Sequence, residues 1–249
     1  MALPAHLTER FSPALSRALR LGSSATASPA SSEGVAFGIP DLDAVLPDAG
    51  FLRGGVVELA VGEGVPATSL ALSACAALQR SHQSQGRTLP WCAFVDPSST
   101  LYAPGVVESG VRPERLLVVR PPLEALSRTL LKLAKSPAFE LIVVDTIGVP
   151  GATVRLALDQ WPRVIRRLSL EVQGSDRSIV LVTDRTLPRA LPLPVAQRID
   201  VTRPARDRLM VQVSKDRRGQ ITALRPVVWS RPRLSSISRT EEVRHASAS

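Results

Sequence analysis

Gly50–Leu72 reads GFLRGGVVELAVGEGVPATSLAL. Val56–Val61, apolar except for Glu58, has the length and composition of a buried strand. Gly62–Val65 is a Gly-bearing loop, and the apolar residues that follow have helical length. A buried strand, a Gly loop and a helix in that order form the frame of a phosphate-cradling P-loop. The loop chemistry does not match the frame. The motif is G-x-x-x-x-G-K-[ST]. With Thr68 as its last residue, Ala67 stands at the Lys position, Pro66 at the second Gly and Val61 at the first. Ala67 brings no cation to a β- or γ-phosphate. Pro66 has a fixed φ and no N–H to donate. Gly62, Gly64, Ala67 and Thr68 are therefore read as a vestigial P-loop.

The 249 residues suffice for one core plus tails. An apolar fraction of 44% with 21% charge reads as soluble and globular. No apolar run approaches the roughly 18 residues of a membrane span, so the chain is expected in the cytoplasm with no membrane partner. The net charge of +9 is carried almost wholly by Arg, with Lys only at 132, 135 and 215. This fits either a genome that writes Arg for Lys or a surface selected for polyanions. Cys75 and Cys92 sit in apolar segments without CxxC spacing, as small core residues would. His6, His82 and His245 are scattered, so no metal site is drawn from them.

Outward from the central stretch, Ser12-Pro13 opens a short amphipathic helix with Gly22 at its C-cap, and a Ser/Ala/Pro-rich linker follows. Residues 1–32 form an arm. Residues 33–230 form the core domain, and residues 231–249, Ser/Arg-rich and without periodicity, read as a disordered tail. In the core, Val35–Ile39 is extended, and a helical turn starts at Pro40 or Asp41. The helix after the loop runs from Pro66 to about Arg80. Further strands are expected at 91–96, 116–120, 139–145 and 178–184. Helices are expected at 123–135 and 153–173, the latter interrupted near Trp161-Pro162. From Arg198 the helices stop, and short strands are expected at 198–203, 209–214, 221–225 and 227–229. The fold class is α/β: a mainly parallel sheet flanked by helices, with an antiparallel extension on one edge.

Five stretches resemble the RecA recombinase core. They are GIPDLDAVLPDAGFLRGGVVEL (38–59), WCAFVDPSSTLYA (91–103), FELIVVDT (139–146), SIVLVTDR (178–185) and VSKDRRG (213–219). Together they cover about residues 35–229. The lead-in GIPDLDAVLP…GFLRGGVVEL, joined to a short core with degenerate nucleotide motifs, is most similar to ImuA, the RecA-like accessory protein of bacterial damage-induced mutagenesis.

The resemblance puts Asp145 at the metal-side position of the Walker B strand. It puts Ser98 where RecA-type ATPases carry the Glu that activates water, and Ser cannot act as a carboxylate base. ATPase activity is therefore not expected, nor is a cofactor or a catalytic residue. From the residues alone, Asp145 reads rather as a strand-end acid that caps a helix or takes a local hydrogen bond.

The family's single-strand DNA loops correspond to 148–153 and 185–194, where Arg185 and Arg189 stand without an aromatic to stack a base. A second basic set, Arg203, Arg206, Arg208, Lys215, Arg217 and Arg218, reads either as a phosphate-contacting stripe or as an edge protected by charge. The resemblance also implies a receiving surface for a neighbour's arm, on Leu116, Val118, Leu123, Leu126, Leu130 and Leu133. Its occupant would be another copy or the Y-family polymerase homologue ImuB. Through ImuB it reaches an error-prone replicative-type polymerase, with RecA and DNA as further partners. The functional expectation is a non-catalytic adaptor in SOS mutagenesis. The alternatives are a nucleotide-binding ATPase with a divergent loop and a DNA-binding modulator of RecA filaments.

Overall fold

Val56–Val61 forms strand β1, buried along its whole length, because it lies inside the sheet and meets helices on both faces. A computed structural model describes residues 34–148, 161–186 and 193–229. The arm and linker, the tail, Arg189, the front of the expected helix at 153–173 and most of the two expected DNA loops lie outside the described residues.

The other strands are β2 (Trp91–Val95), β3 (Leu116–Val119), β4 (Phe139–Asp145), β5 (Ser178–Asp184), β6 (Gln197–Ala205), β7 (Arg208–Asp216) and β8 (Arg225–Val228). They form one eight-stranded sheet in the order β3-β2-β4-β5-β1-β6-β7-β8. The pairs from β3 to β6 are parallel. β6–β7 and β7–β8 are antiparallel. The α/β class and the antiparallel extension expected from sequence are both present.

The helices are α1 (Pro40–Asp43), α2 (Ala67–Ser84), α3 (Ala103–Glu108), α4 (Leu123–Lys135) and α5 (Pro162–Val172), with a 3₁₀ turn at Pro113–Arg115. One face of β1 (Val57, Leu59, Val61) packs on α2 and on the lead-in residues Phe37, Leu42 and Phe51. The other face (Val56) joins the cluster under α4 and α5. α2 buries Leu70, Ala71, Ala74, Cys75 and Leu78, as its all-round apolar sequence requires.

The lead-in is tied down twice. The Asp43 carboxylate accepts the Phe37, Gly38 and Ile39 N–H groups at 2.7, 2.9 and 3.1 Å. The Gln197 side chain accepts the Leu52 N–H at 2.9 Å. Of the two expected helix starts, Pro40 is the first residue.

Three expectations need correction. α2 runs four residues beyond Arg80, because His82 turns inward to Thr88 and Glu140. The expected strand at 221–225 is not one. Thr222 instead closes a side-chain and backbone pair with Val213, and strand pairing resumes only at Arg225. Third, Leu126, Leu130 and Leu133 form the inner face of α4, with relative exposures of 0%, 1% and 9%. Their i, i+4, i+7 spacing points them at the sheet, so none of the three belongs to a docking surface.

Candidate functional site

β1 ends at Val61 and α2 begins at Ala67, so Gly62–Pro66 crosses the C-terminal edge of a parallel sheet, where open α/β folds place their ligands. A cleft of about 640 Å³ opens there. The loop, Thr68, Ile147, Gly148 and the strand-end acid Asp184 contribute to its walls.

Three N–H groups of this stretch, those of Gly62, Val65 and Ala67, are turned inward. Gly62 N–H bonds the Val201 carbonyl at 2.8 Å, Val65 N–H bonds the Gly62 carbonyl at 3.4 Å, and Ala67 N–H bonds the Val65 carbonyl at 2.8 Å. Pro66 has none to give. A phosphate nest depends on successive N–H groups aimed at one point, and these four positions supply none. Gly64 turns at φ +73°, and Arg203 Nη1 donates to its carbonyl at 2.8 Å. Arg203 also bonds the Arg206 carbonyl. It pins the loop from outside instead of facing the cleft. Among the described lining residues there is no Lys or Arg, whereas Glu63 and Asp184 are there.

Thr68 and Asp145 do come together. Thr68 Oγ1 donates to Asp145 Oδ2 at 3.2 Å. Asp145 Oδ1 accepts the N–H groups of Ile147 and Gly148 at 3.0 and 2.9 Å. Both carboxylate oxygens are thus engaged in holding the strand end.

Ser98 is part of a tight turn after β2. Its hydroxyl donates to Asp96 Oδ1 at 3.0 Å and meets Thr100 Oγ1 at 3.0 Å. Ser99, next to it, sits at φ +56°. Asp96 is the buried hub of the turn and also accepts the Thr100 and Leu101 N–H groups and Arg120 Nε. Burial alone would push its carboxyl up. The Leu101 and Thr100 N–H groups, Ser98 and Arg120 outweigh that and hold it below the usual carboxylate range. Gly148 lies against Ser98 so closely that a Cβ on Gly148 would sit 2.5 Å from the Ser98 hydroxyl. A long acidic side chain at 98 would have to displace that strand end.

The basic candidates do not form one stripe. Arg203, Arg206 and Arg208 gather at the β6–β7 turn, while Lys215, Arg217 and Arg218 lie at the far end of β7. At ~3.3 Å per residue the two groups are over about 20 Å apart. Several are engaged internally. Arg185 Nε pairs with Asp200 at 3.3 Å, Lys215 Nζ donates to the Leu193 carbonyl at 3.0 Å, and Arg218 pairs with Asp48 and Asp216. Arg206 and Arg208 are exposed.

The sequence reading missed the centre of this network. Glu58, buried within apolar β1, accepts Thr183 Oγ1 at 2.7 Å and Arg198 Nη1 at 3.3 Å. Arg198 in turn bonds Asp200 at 3.0 Å. Burial would raise the Asp200 carboxyl, but Arg198 and Ser214 bond it and lower it. A lone Glu in a strand buried on both faces was the available signal.

Both ends of the sheet are open among the described residues. β3 forms one edge, with Leu117 and Val118 38% and 37% exposed and Leu123 exposed just beyond it. Leu116 is half-buried. The Arg115 guanidinium lies 5.4 Å over the Trp91 ring at the same edge. Of the expected docking residues, Leu116, Val118 and Leu123 therefore remain accessible.

No protein-family model and no curated protein matches the sequence. Among solved structures, a crystal structure of the RadB recombinase superposes with a TM-score of 0.60 at 16% sequence identity, over 79% of this chain and 96% of that one. The fold is RecA-like.

Proposed function

We propose that this RecA-like domain is a non-catalytic adaptor in DNA-damage-induced mutagenesis, assembling a translesion polymerase complex in the manner of ImuA. The observation that carries the reading is the inverted P-loop. Its N–H groups at Gly62, Val65 and Ala67 are spent on carbonyls, Pro66 has no N–H, and no lysine is present. A domain that keeps the nucleotide frame without a phosphate seat is suited to presenting surfaces. The best surface for the role is the β3 edge. An added strand there gains backbone hydrogen bonds, and Val118 and Leu123 supply apolar contact.

The partner we assign to it is an ImuB-like Y-family polymerase homologue, and through it an error-prone replicative-type polymerase. Self-association through the arm, RecA and DNA are further partners of the same reading. The test is co-purification of the full chain with that polymerase homologue. A stable complex lost on Val118→Asp supports the role, and a complex indifferent to Val118→Asp and Leu123→Asp together refutes the surface.

A second reading, a nucleotide-binding ATPase with a divergent loop, draws on one observation: the Thr68–Asp145 hydrogen bond keeps the magnesium-side pair of such enzymes adjacent to the cleft. Turnover of ATP above a Thr68→Ala background would favour it.

A further inference from the structure

A shallow groove of about 350 Å³ runs between α4 and α5, on the face of the sheet opposite α2. Arg128, Lys132 and Lys135 of α4 form one wall, and Arg167 of α5 stands opposite. All four side chains are exposed. None makes an ion pair or a side-chain hydrogen bond with another described residue, although Arg53, Arg120, Arg185, Arg198 and Arg218 all do. The acids on the same two helices, Glu124 and Glu171, do not neutralise them either. Two of the three lysines of the chain stand here, one turn apart. A bias toward Arg codons accounts for most of the basic residues but not for these two.

The geometry points to a binding site for the phosphate backbone of a nucleic-acid strand. It gives the DNA contact of the proposed function a place on the surface, and it stands without the polymerase-homologue partner. Lys132 and Arg128 are one turn apart, as are Lys135 and Leu131, so the three cations line one side of α4. From Arg128 to Lys135 the helix rises ~10 Å. That covers about three nucleotides at ~3.4 Å per step of one strand. Lysine ammonium groups act as point charges on phosphates. Among the described residues no aromatic lines the groove, so the contact is to backbone and independent of sequence. The same composition argues against a protein partner. Protein interface cores are depleted in Lys, whereas nucleic-acid interfaces are strongly positive.

The test uses the full chain and a fluorescent oligothymidylate, with affinity read by anisotropy across a salt series. Lys132→Gln/Lys135→Gln is predicted to weaken binding roughly tenfold at low salt and to flatten the log–log salt slope by about 1.4, two phosphates at ~0.7 each. Arg206→Gln/Arg208→Gln, which removes the same charge elsewhere, should change affinity less than about twofold, and Lys132→Arg/Lys135→Arg should keep it. Equal losses in both Gln pairs, or no oligonucleotide binding by the unaltered chain at low salt, would overturn the site. So would unchanged oligonucleotide binding with lost binding to polyglutamate, which would mark the groove as a seat for an acidic protein. The four side chains are exposed, so thermal unfolding of the variants should match that of the parent chain. A folding defect in the Gln pair with full binding in the Arg pair would also count against the groove.

Discussion

Thr68 and Asp145, 77 residues apart in the chain, are joined by a 3.2 Å hydrogen bond beside the cleft. In a working P-loop these residue types would serve a metal ion and its nucleotide. Here they serve each other, and Asp145 spends its second oxygen on the backbone of Ile147 and Gly148. The pair reads as a strut between α2 and β4. Thr68→Val keeps the shape and removes the donor, and it should cost about 1 kcal/mol of unfolding free energy, measured by urea denaturation.

Restoring the lysine alone should not restore nucleotide binding. Ala67→Lys adds the cation, but Pro66 still lacks its N–H and the neighbouring donors remain on their carbonyls. Calorimetry should detect no ATP binding in Ala67→Lys. Pro66→Gly/Ala67→Lys frees the loop as well and should show weak, magnesium-dependent binding.

Restoring the acid should fail for a different reason. Ser98→Glu must place a longer side chain where Gly148 already packs. The expected result is a destabilisation of about 1–3 kcal/mol with no gain of hydrolysis, checked by thermal melts and a phosphate-release assay.

Two leucine-surface substitutions separate core from edge. Leu130→Asp buries a charge in the cluster under α4 and should cost at least about 4 kcal/mol. Val118→Asp lies on an open edge and should leave stability within about 0.5 kcal/mol. Paired urea melts decide this.

Acid stability should track Asp96 and Asp200. Both have folded-state pKa values lowered below the ordinary 3.8. Each therefore stabilises the fold above the unfolded pKa, and that contribution is lost as pH falls through the folded value. The contribution of these two carboxylates should be flat above about pH 5 and fall below about pH 4. Asp96→Asn should be less stable at neutral pH and show a shallower acid limb.

The fold was legible because its signals were local and redundant. The mainly apolar strands at 56–61, 139–145 and 178–184 alternate with helices, which reads as a largely parallel sheet, and the helix at 123–135 carried its own period. The departures from the P-loop pattern at Ala67 and Pro66 were legible in the sequence itself. What the sequence hid was long-range. Nothing local says that Gly62 N–H finds Val201, that Arg203 reaches Gly64, or that Glu58 is met by Arg198 from a strand 140 residues away. The leucines of α4 looked like core and interface alike, since an apolar stripe has the same spacing in both. The basic set after Arg203 looked contiguous because a strand's two ends are close in sequence and far apart in space.

The most direct test of the central claim is titration calorimetry of the full chain with ATP and magnesium, accompanied by a thermal melt. The account predicts no binding heat and no thermal stabilisation at millimolar nucleotide. A saturable isotherm, with the stabilisation that bound ligand must produce, would contradict it and would show that Thr68, Asp145 and the loop backbone still hold a nucleotide.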